Sequence, residues 1–188
     1  MKFVAPSWES IFDQSVTLAE KLGGPSTKFD CIVGVSRGGL VLTRIMSDLL
    51  SIQNVMVTRT EYYSDVGKRK THPTITQKIQ ESIARKRVLL LDDVADTGES
   101  LAEIKRYLAS KKPRDLTVAT LYIKPWSKLV PDYYVSKTDA WIIFPWERHE
   151  AIKSLVSKSG KRILSKTGIP KNIVARILQY DRLYAADN

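Results

Sequence analysis

The amino-acid sequence predicts an α/β protein in which a mostly parallel sheet is flanked by helices and followed by a helical extension. Short apolar runs alternate with segments of helical periodicity, a pattern typical of consecutive β–α units. The chain has 188 residues, of which 43% are hydrophobic and 27% are charged, so it can bury the core of one globular domain. Ligands of such sheets bind beyond the carboxyl ends of the strands, so a site is expected in the loops that follow them.

Each element is indicated by its apolar pattern and by the turn residues around it. Apolar runs predict buried strands at residues 29–35, 55–60, 87–92, 116–123 and 140–144. Apolar residues at helical spacing predict helices at residues 8–21, 40–50 and 97–110, with a shorter helix at 76–84. Residues 61–73 are polar and contain glycine, which predicts a loop. We divide the chain into a core, residues 1–147, and a basic helical extension, residues 148–188.

The composition indicates the compartment of the protein and the chemical class of its partners. The single cysteine, Cys31, excludes an intramolecular disulfide and is consistent with a reducing compartment. Residues 1–8 lack the apolar core of a signal peptide, and no stretch approaches the ~20 apolar residues of a membrane span. We therefore expect a soluble, cytoplasmic protein that does not bind membranes. The net charge of +10 favours anionic partners such as nucleotides, phosphates or nucleic acid.

The most informative segment is VLLLDDVADTGES, residues 88–100. A hydrophobic strand runs into two adjacent acids, Asp92 and Asp93, and then into a tight turn that begins a helix. Backbone N–H groups at such a turn form an anion site, which the hydroxyls of Thr97 and Ser100 extend. The segment therefore suits a phosphate monoester.

The three acids of this segment suit a sugar and a base. Asp92 and Asp93 can accept hydrogen bonds from two vicinal hydroxyls, as on ribose, and Asp96 can take a proton from a base above the sugar. The alternative is an acidic strand end that caps a helix, with Asp96 or Thr97 as the N-cap. The complete pattern favours the functional interpretation.

This pattern resembles the phosphoribosyl pyrophosphate signature of type I phosphoribosyltransferases: four hydrophobic residues, two acids, two small or hydrophobic residues, then Asp-Thr-Gly-x-Ser/Thr. The resemblance covers residues 7–147, and it is strongest to the xanthine, guanine and hypoxanthine enzymes. It implies the type I fold with a small hood. It also implies a Mg²⁺-dependent transfer of ribose 5-phosphate from phosphoribosyl pyrophosphate to a 6-oxopurine, giving pyrophosphate and a nucleoside 5′-monophosphate. A homodimer or homotetramer is expected on the same basis.

The resemblance also implies roles for individual residues. Asp92 and Asp93 would hold the ribose hydroxyls, and Asp93, or alternatively Asp92, would contact Mg²⁺. Asp96 would be the general base near purine N7. The cradle for the 5-phosphate would be formed by Ala95, Asp96, Thr97, Gly98, Glu99 and Ser100. Glu99 departs from the family, where glycine or lysine is frequent, and an acid beside a phosphate is unfavourable unless its side chain turns away.

A second segment, VSRGG at residues 35–39, resembles the pyrophosphate loop of the family. There the peptide bond that matches Ser36–Arg37 is often cis. The resemblance makes Ser36, Arg37 and Gly38 candidate pyrophosphate ligands, with Arg37 as the cation. Without the family, this sequence is an ordinary turn between a strand and a helix.

The purine end is predicted from two further segments. Lys124 follows a strand, as the purine-reading lysine of the family does, and a lysine donor favours a 6-oxo over a 6-amino group. DAWI at residues 139–142 resembles the purine hood, in which Trp141 would stack on the base and the Ile142 backbone would bond its edge. The alternatives are a surface lysine and a tryptophan that packs in the core.

Residues 61–71 would form the flexible loop that closes over the site. Tyr62 or Tyr63 would match a Ser-Tyr pair in relatives, although serine precedes neither of them here. The cations of residues 68–70 are predicted either to neutralise pyrophosphate or to be a solvated charge run.

The basic extension supports an alternative function. Residues 148–188 contain nine Lys/Arg and three Asp/Glu, a net charge of +6. Residues 162–178 loosely resemble a helix-turn-helix, so a regulator that binds nucleic acid is the alternative. We favour an amphipathic extension in which Ile173, Val174, Ile177 and Leu178 cover apolar surface, and we do not expect nucleic acid as a partner.

Overall fold

The computed structural model describes residues 1–62, 64–65, 68–69 and 72–184. In chain order they form β1 (Phe3–Val4), α1 (Trp8–Lys21), β2 (Cys31–Ser36), α2 (Gly39–Leu49), β3 (Val55–Glu61), β4 (Ser64–Asp65), β5 (Lys68–Arg69), β6 (Thr74–Gln77), β7 (Arg87–Ala95), α3 (Glu99–Ala109), β8 (Asp115–Ile123), β9 (Tyr133–Lys137), β10 (Trp141–Ile142), α4 (Arg148–Ser159) and α5 (Lys171–Tyr184). Two short 3₁₀ segments are Gly24–Ser26 and Lys161–Lys166.

A six-stranded sheet with the order β6-β3-β2-β7-β8-β9 is the central element. Its strands pair in parallel, except that β6 runs antiparallel to β3. Residues 31–35 of β2 and 88–91 of β7 are apolar because these strands lie inside the sheet, where both faces are covered. Helix α2 packs on β2 and β7, whereas α3 packs against β3, β6, β7 and β8. The predicted α/β class with a mostly parallel sheet is confirmed.

The chain divides into two compact units. Residues 12–138 form the first unit and contain the central sheet. Residues 1–11 and 139–188 form the second, in which β1 pairs in parallel with β10. The buried core of the second unit consists of Ile143, Ala151, Ile152, Leu155, Leu164 and Ile169. The division that we made at residue 147 stays a prediction.

The C-terminal extension presents an apolar face to the core of its own unit. Ile173, Val174, Ile177 and Leu178 of α5 pack against that core. The segment before the Gly168 turn includes the 3₁₀ turn Lys161–Lys166 and not the first α-helix of a helix-turn-helix. Both observations favour the amphipathic extension over the nucleic-acid module.

Three elements differ from their sequence-based predictions. The predicted helix at residues 76–84 is wrong. Ile75, Ile79 and Ile83 recur at helical spacing and all pack on the core, but the backbone forms β6 and then a segment without regular secondary structure. Of the strand predicted at residues 140–144, only Trp141–Ile142 forms one, and it pairs with β1 outside the central sheet. Strand β9 was not predicted, because it is only partly buried and lacks an apolar run.

The expectation for Cys31 is confirmed. The Cys31 side chain is fully buried, and burial raises the pKa of its thiol, as expected for a cysteine that packs as a small hydrophobe. No helix in the described part of the chain combines the length and the apolarity needed to cross a bilayer.

Asp30, just before β2, and Arg87, the first residue of β7, form an ion pair with several hydrogen bonds, here called the fork. It fixes the position at which the two strands begin to pair. Asp30 Oδ2 accepts hydrogen bonds from the Arg87 backbone N–H at 2.6 Å and from Nε at 3.2 Å, and Oδ1 lies 2.8 Å from a terminal guanidinium nitrogen. These bonds to the ionised carboxylate lower the pKa of Asp30 from 3.8 to about 2. The fork therefore stabilises the strand pair above pH 3.8, and its contribution is lost as the pH falls towards 2.

Asp30→Asn should lower the free energy of unfolding at pH 7 by about 1 kcal/mol, because both side chains are about one-third exposed and water screens the pair. Urea unfolding at a series of pH values measures the effect. The gap between wild type and variant should close between pH 3.8 and about 2, where Asp30 becomes protonated in the wild type. Asp48→Asn, at an exposed ion pair, is the matched control. A pH-independent gap would contradict the electrostatic explanation.

Candidate active site

A cavity of about 260 Å³ lies beyond the carboxyl ends of β2, β3 and β7. Its lining contains nine residues that the sequence analysis selected: Ser36, Gly38, Asp92, Asp93, Ala95, Asp96, Thr97, Gly98 and Ser100. Thr60, at the end of β3, and the apolar residues Val35, Val94 and Leu101 complete it. The two loops singled out in the sequence therefore share one cavity, whose size suits a small polar ligand.

The two adjacent acids near the end of β7, Asp92 and Asp93, line this cavity. Asp93 is only 6% exposed, and its backbone N–H donates to Asp92 Oδ1 at 3.0 Å. Burial and the neighbouring Asp93 carboxylate raise the pKa of Asp92 well above its usual range. Such a pair of carboxyl groups favours a ligand that brings hydroxyl donors or a cation.

The loop after β2 packs directly on these acids. The peptide bond between Ser36 and Arg37 is cis, as in the family loop that the sequence resembles. A Cβ atom placed on Gly38 would lie 2.5 Å from Asp93 Oδ2 and 2.8 Å from Asp93 Cγ. Gly38 has ordinary right-handed dihedral angles, so glycine is needed there for its small size. The exposed Arg37 is adjacent to this contact.

The turn between β7 and α3 forms the candidate phosphate cradle. Gly98 has φ of 78° and immediately precedes α3, and a Cβ atom there would lie 2.5 Å from the Leu129 backbone nitrogen. Both the dihedral angle and the close approach require glycine. The first turn of α3 directs backbone N–H groups towards the cavity end of the helix, where they favour an anion. Thr97 Oγ1 accepts the Glu99 N–H at 3.3 Å.

The Glu99 side chain is held by neighbouring polar groups. Its Oε1 lies 2.7 Å from Lys128 Nζ, and its Oε2 accepts the Tyr62 hydroxyl at 3.1 Å. These two hydrogen bonds and the positive charge of Lys128 lower the pKa of Glu99. The acid that departs from the family pattern is thus neutralised by a lysine, which reduces its repulsion of a nearby phosphate.

Asp96 lines the cavity and is exposed to solvent. Its Oδ1 accepts a hydrogen bond of 2.9 Å from Nε1 of Trp126. Trp126 is 54% exposed, so this bond forms at the protein surface and not inside the core. The carboxylate of Asp96 therefore has a fixed partner on one oxygen.

Lys124 lies beside the cavity loop, at the end of β8. Its backbone N–H donates to the Ala95 carbonyl at 3.0 Å. The residue is buried to 94%, and its ammonium group lies 5.6 Å from the centre of the Trp126 ring. A surface lysine at a strand end would be exposed, so the burial of Lys124 supports a specific role.

The remaining selected residues belong to β10 and to the segment after β3. Trp141 and Ile142 form β10 in the second compact unit, where the Trp141 ring lies 5.9 Å from the Phe3 ring and the Ile142 side chain is buried. Their purine-binding roles stay predictions. Tyr62 immediately follows β3 and bonds to Glu99, whereas Tyr63 lies outside the described residues.

The sequence analysis missed Trp126 and Lys128, which contact Asp96 and Glu99 respectively. Both belong to the loop that follows β8, and this loop starts with Lys124, which had been selected. The available signal was the position of Trp126, an aromatic residue in a polar loop two positions after Lys124.

The fold and the cavity define an α/β protein with a polar small-molecule site at the carboxyl end of a mostly parallel sheet. The phosphoribosyl transferase domain family matches residues 7–152, and the chain belongs to this family. The predicted family resemblance and the assignment as a phosphoribosyltransferase, a glycosyltransferase-type enzyme, are confirmed.

Individual relatives agree with this assignment. The xanthine-guanine phosphoribosyltransferase of Cereibacter sphaeroides is 30% identical over 148 residues, covering 75% of this chain and 84% of the relative. The enzyme of the same name from Idiomarina loihiensis is 30% identical over 145 residues, covering 76% and 86%. The crystal structure of a purine phosphoribosyltransferase from Pyrococcus horikoshii has a TM-score of 0.69 and 37% identity, covering 78% of this chain and 95% of that one.

Gly38→Ala should disrupt the cavity without unfolding the sheet. The new methyl group must displace the Asp93 carboxylate or the loop after β2, and a shift of about 1 Å at such a site costs about 10²-fold in kcat/KM. Steady-state kinetics with phosphoribosyl pyrophosphate measures the loss. Leu40→Ala, at an exposed position of the same helix, controls for changes in α2. Wild-type kinetics in Gly38→Ala would contradict the close contact.

Proposed function

We propose that this enzyme transfers ribose 5-phosphate from phosphoribosyl pyrophosphate to a 6-oxopurine, releasing pyrophosphate. The observation that carries the proposal is the single cavity in which Asp92, Asp93 and Asp96 stand beside a helix N-terminus. Hydroxyl acceptors, a phosphate cradle and a proton acceptor are the groups that this reaction requires. Purine salvage activity also agrees with the names of the relatives.

The sugar phosphate would be bound by the loop between β7 and α3. Backbone N–H groups at the start of α3, with the Thr97 and Ser100 hydroxyls, would hold the 5-phosphate. Asp92 and Asp93 would accept hydrogen bonds from the two ribose hydroxyls. Arg37, exposed beside the cavity, would bind the pyrophosphate through charged hydrogen bonds.

The donor set of the cavity fits Mg²⁺. The ion takes hard oxygen ligands and is usually held by one or two carboxylates together with substrate phosphates. Asp93, or alternatively Asp92, would supply the protein ligand. Among the described residues, no group of three or more His, Cys, Asp and Glu side chains is placed to hold a metal. Bound Mg²⁺ would supply positive charge that stabilises the departing pyrophosphate.

In the reaction the C1–O bond to pyrophosphate breaks, and pyrophosphate leaves with the electron pair. Purine N9 forms the new bond to C1, and the purine loses its N7 proton to the Asp96 carboxylate. Asp92 and Asp93 would fix the ribose so that C1 faces the base, which converts binding energy into orientation. The exposure of Asp96 in the cavity lining suits a base that approaches from solvent.

Recognition of the 6-oxo group is assigned to Lys124. Its ammonium group has donors only, so it complements an oxo group and not the amino group of adenine. Trp141 and the Ile142 backbone would contact the ring and edge of the purine, as the hood of the family implies. Tyr62 and Tyr63 would belong to a loop that covers the bound substrates, and a homodimer or homotetramer is the proposed assembly.

Asp96→Asn should lower kcat by about 10²–10⁴-fold, because an amide cannot take the purine proton. Binding of phosphoribosyl pyrophosphate, followed by calorimetry, should stay close to wild type. Asp13→Asn, an exposed change of the same charge on α1, serves as the control. Turnover within a factor of about two of wild type would remove Asp96 from the role of general base.

Lys124→Met should lower kcat/KM for 6-oxopurines by about 10–10²-fold, because a charged hydrogen-bond donor to the oxo group is lost. The assay compares hypoxanthine, guanine, xanthine, adenine and orotate with Mg²⁺ and phosphoribosyl pyrophosphate. Wild type should use at least one oxopurine and should not favour adenine or orotate. Lys137→Ala changes another strand-end lysine and should leave the preference unchanged. An unaltered preference in Lys124→Met would overturn this assignment.

A further inference from the structure

Trp126 stands out because it is exposed and yet makes one specific polar contact. Its indole is 54% exposed, which is unusual for a tryptophan whose purpose is to fill a core. Its Nε1–H donates to Asp96 Oδ1 at 2.9 Å, within the normal range for a hydrogen bond to a carboxylate. The contact joins a loop after β8 to the one cavity carboxylate that is exposed.

The loop that carries Trp126 is fixed to the cavity loop on both sides of Asp96. The Lys124 N–H donates to the Ala95 carbonyl at 3.0 Å, and the Lys128 N–H donates to the Thr97 carbonyl at 2.9 Å. These two bonds hold the segment from Lys124 to Lys128 beside the segment from Ala95 to Thr97. The indole therefore approaches Asp96 from a backbone that is itself fixed, as a positioning group requires.

The same indole is near the residue assigned to the oxo group. Lys124 Nζ lies 5.6 Å from the centre of the Trp126 ring, a distance at which the ring face attracts a cation. The Trp126 side chain thus contacts Asp96, the proposed proton acceptor, through its N–H. The face of its ring contacts Lys124, the proposed ligand of the oxo group. A phenylalanine would keep the ring face and lose only the N–H.

We propose that Trp126 is a positioning residue for the general base. Its N–H binds one oxygen of the Asp96 carboxylate and fixes the rotation of the group, so that the other oxygen faces the purine N7 proton. This inference rests on the proposed function, in which Asp96 accepts that proton. An exposed aspartate without such a partner would sample several rotamers, and only a fraction of them would be aligned for proton transfer.

The test is a double-mutant cycle with Trp126→Phe, Asp96→Asn and the variant that carries both changes. Steady-state kinetics uses phosphoribosyl pyrophosphate, Mg²⁺ and the oxopurine that wild type prefers. Trp126→Phe should lower kcat by about tenfold and leave KM for phosphoribosyl pyrophosphate unchanged, because one charge-assisted hydrogen bond is lost. In the Asp96→Asn background it should have no further effect. Trp8→Phe, at a tryptophan that is 49% exposed, is the matched control.

Each result decides between explanations. Equal kcat in Trp126→Phe and wild type, with Asp96→Asn impaired, would overturn the positioning role and leave the proposed function intact. Additive losses in the double variant would show a general structural role and would also overturn it. A higher kcat/KM for the purine in Trp126→Phe would show that the indole competes with the base for Asp96, again contradicting the proposal. Normal turnover in Asp96→Asn would reject the general base and, with it, this inference.

Discussion

The parallel register of β2 against β7 is the constraint on which the rest of the cavity depends. Cys31 pairs with Val88 and Gly34 with Leu91, so both strands deliver their following loops to the same end of the sheet. The loop after β2 can then pack on the acids that follow β7, and Gly38 meets Asp93 at a distance that leaves no room for a side chain. The loops after β2 and β7 are far apart in sequence. They form one surface because the two strands that precede them cannot shift along each other.

Charge explains the composition of this surface. The protein carries a net charge of +10, yet its cavity gathers three aspartates, and burial with mutual repulsion raises the pKa of Asp92. In the proposed site, a phosphate would be attracted by the backbone N–H groups at the start of α3. Lys128 is engaged by Glu99, so it offsets an acid that would otherwise oppose an anion at the same helix start.

The features that could be predicted from the sequence are those formed by residues of one continuous segment. Residues 88–100 contain strand, acids, turn and helix start in one run, and the structure places that run at one cavity. Contacts between distant segments were not predictable: the bond from Trp126 to Asp96 exists only because the loop after β8 docks on the loop after β7.

The wrong prediction of a helix at residues 76–84 has a related cause. Apolar residues four apart mark burial, but backbone pairing with β3 decided that residues 74–77 form a strand.

The pairing of β7 with β8 has a consequence for substrate selection. Ala95 lies opposite Ile123, so Asp96 and Lys124 are the next residues on two adjacent strands and share a backbone hydrogen bond between their segments. A displacement of one strand end must therefore move the other. If Lys124 reads the oxo group and Asp96 takes the N7 proton, a base that does not engage the lysine also fails to align with the carboxylate. Discrimination then appears in the chemical step as well as in binding, because the two functions rest on one rigid strand pair.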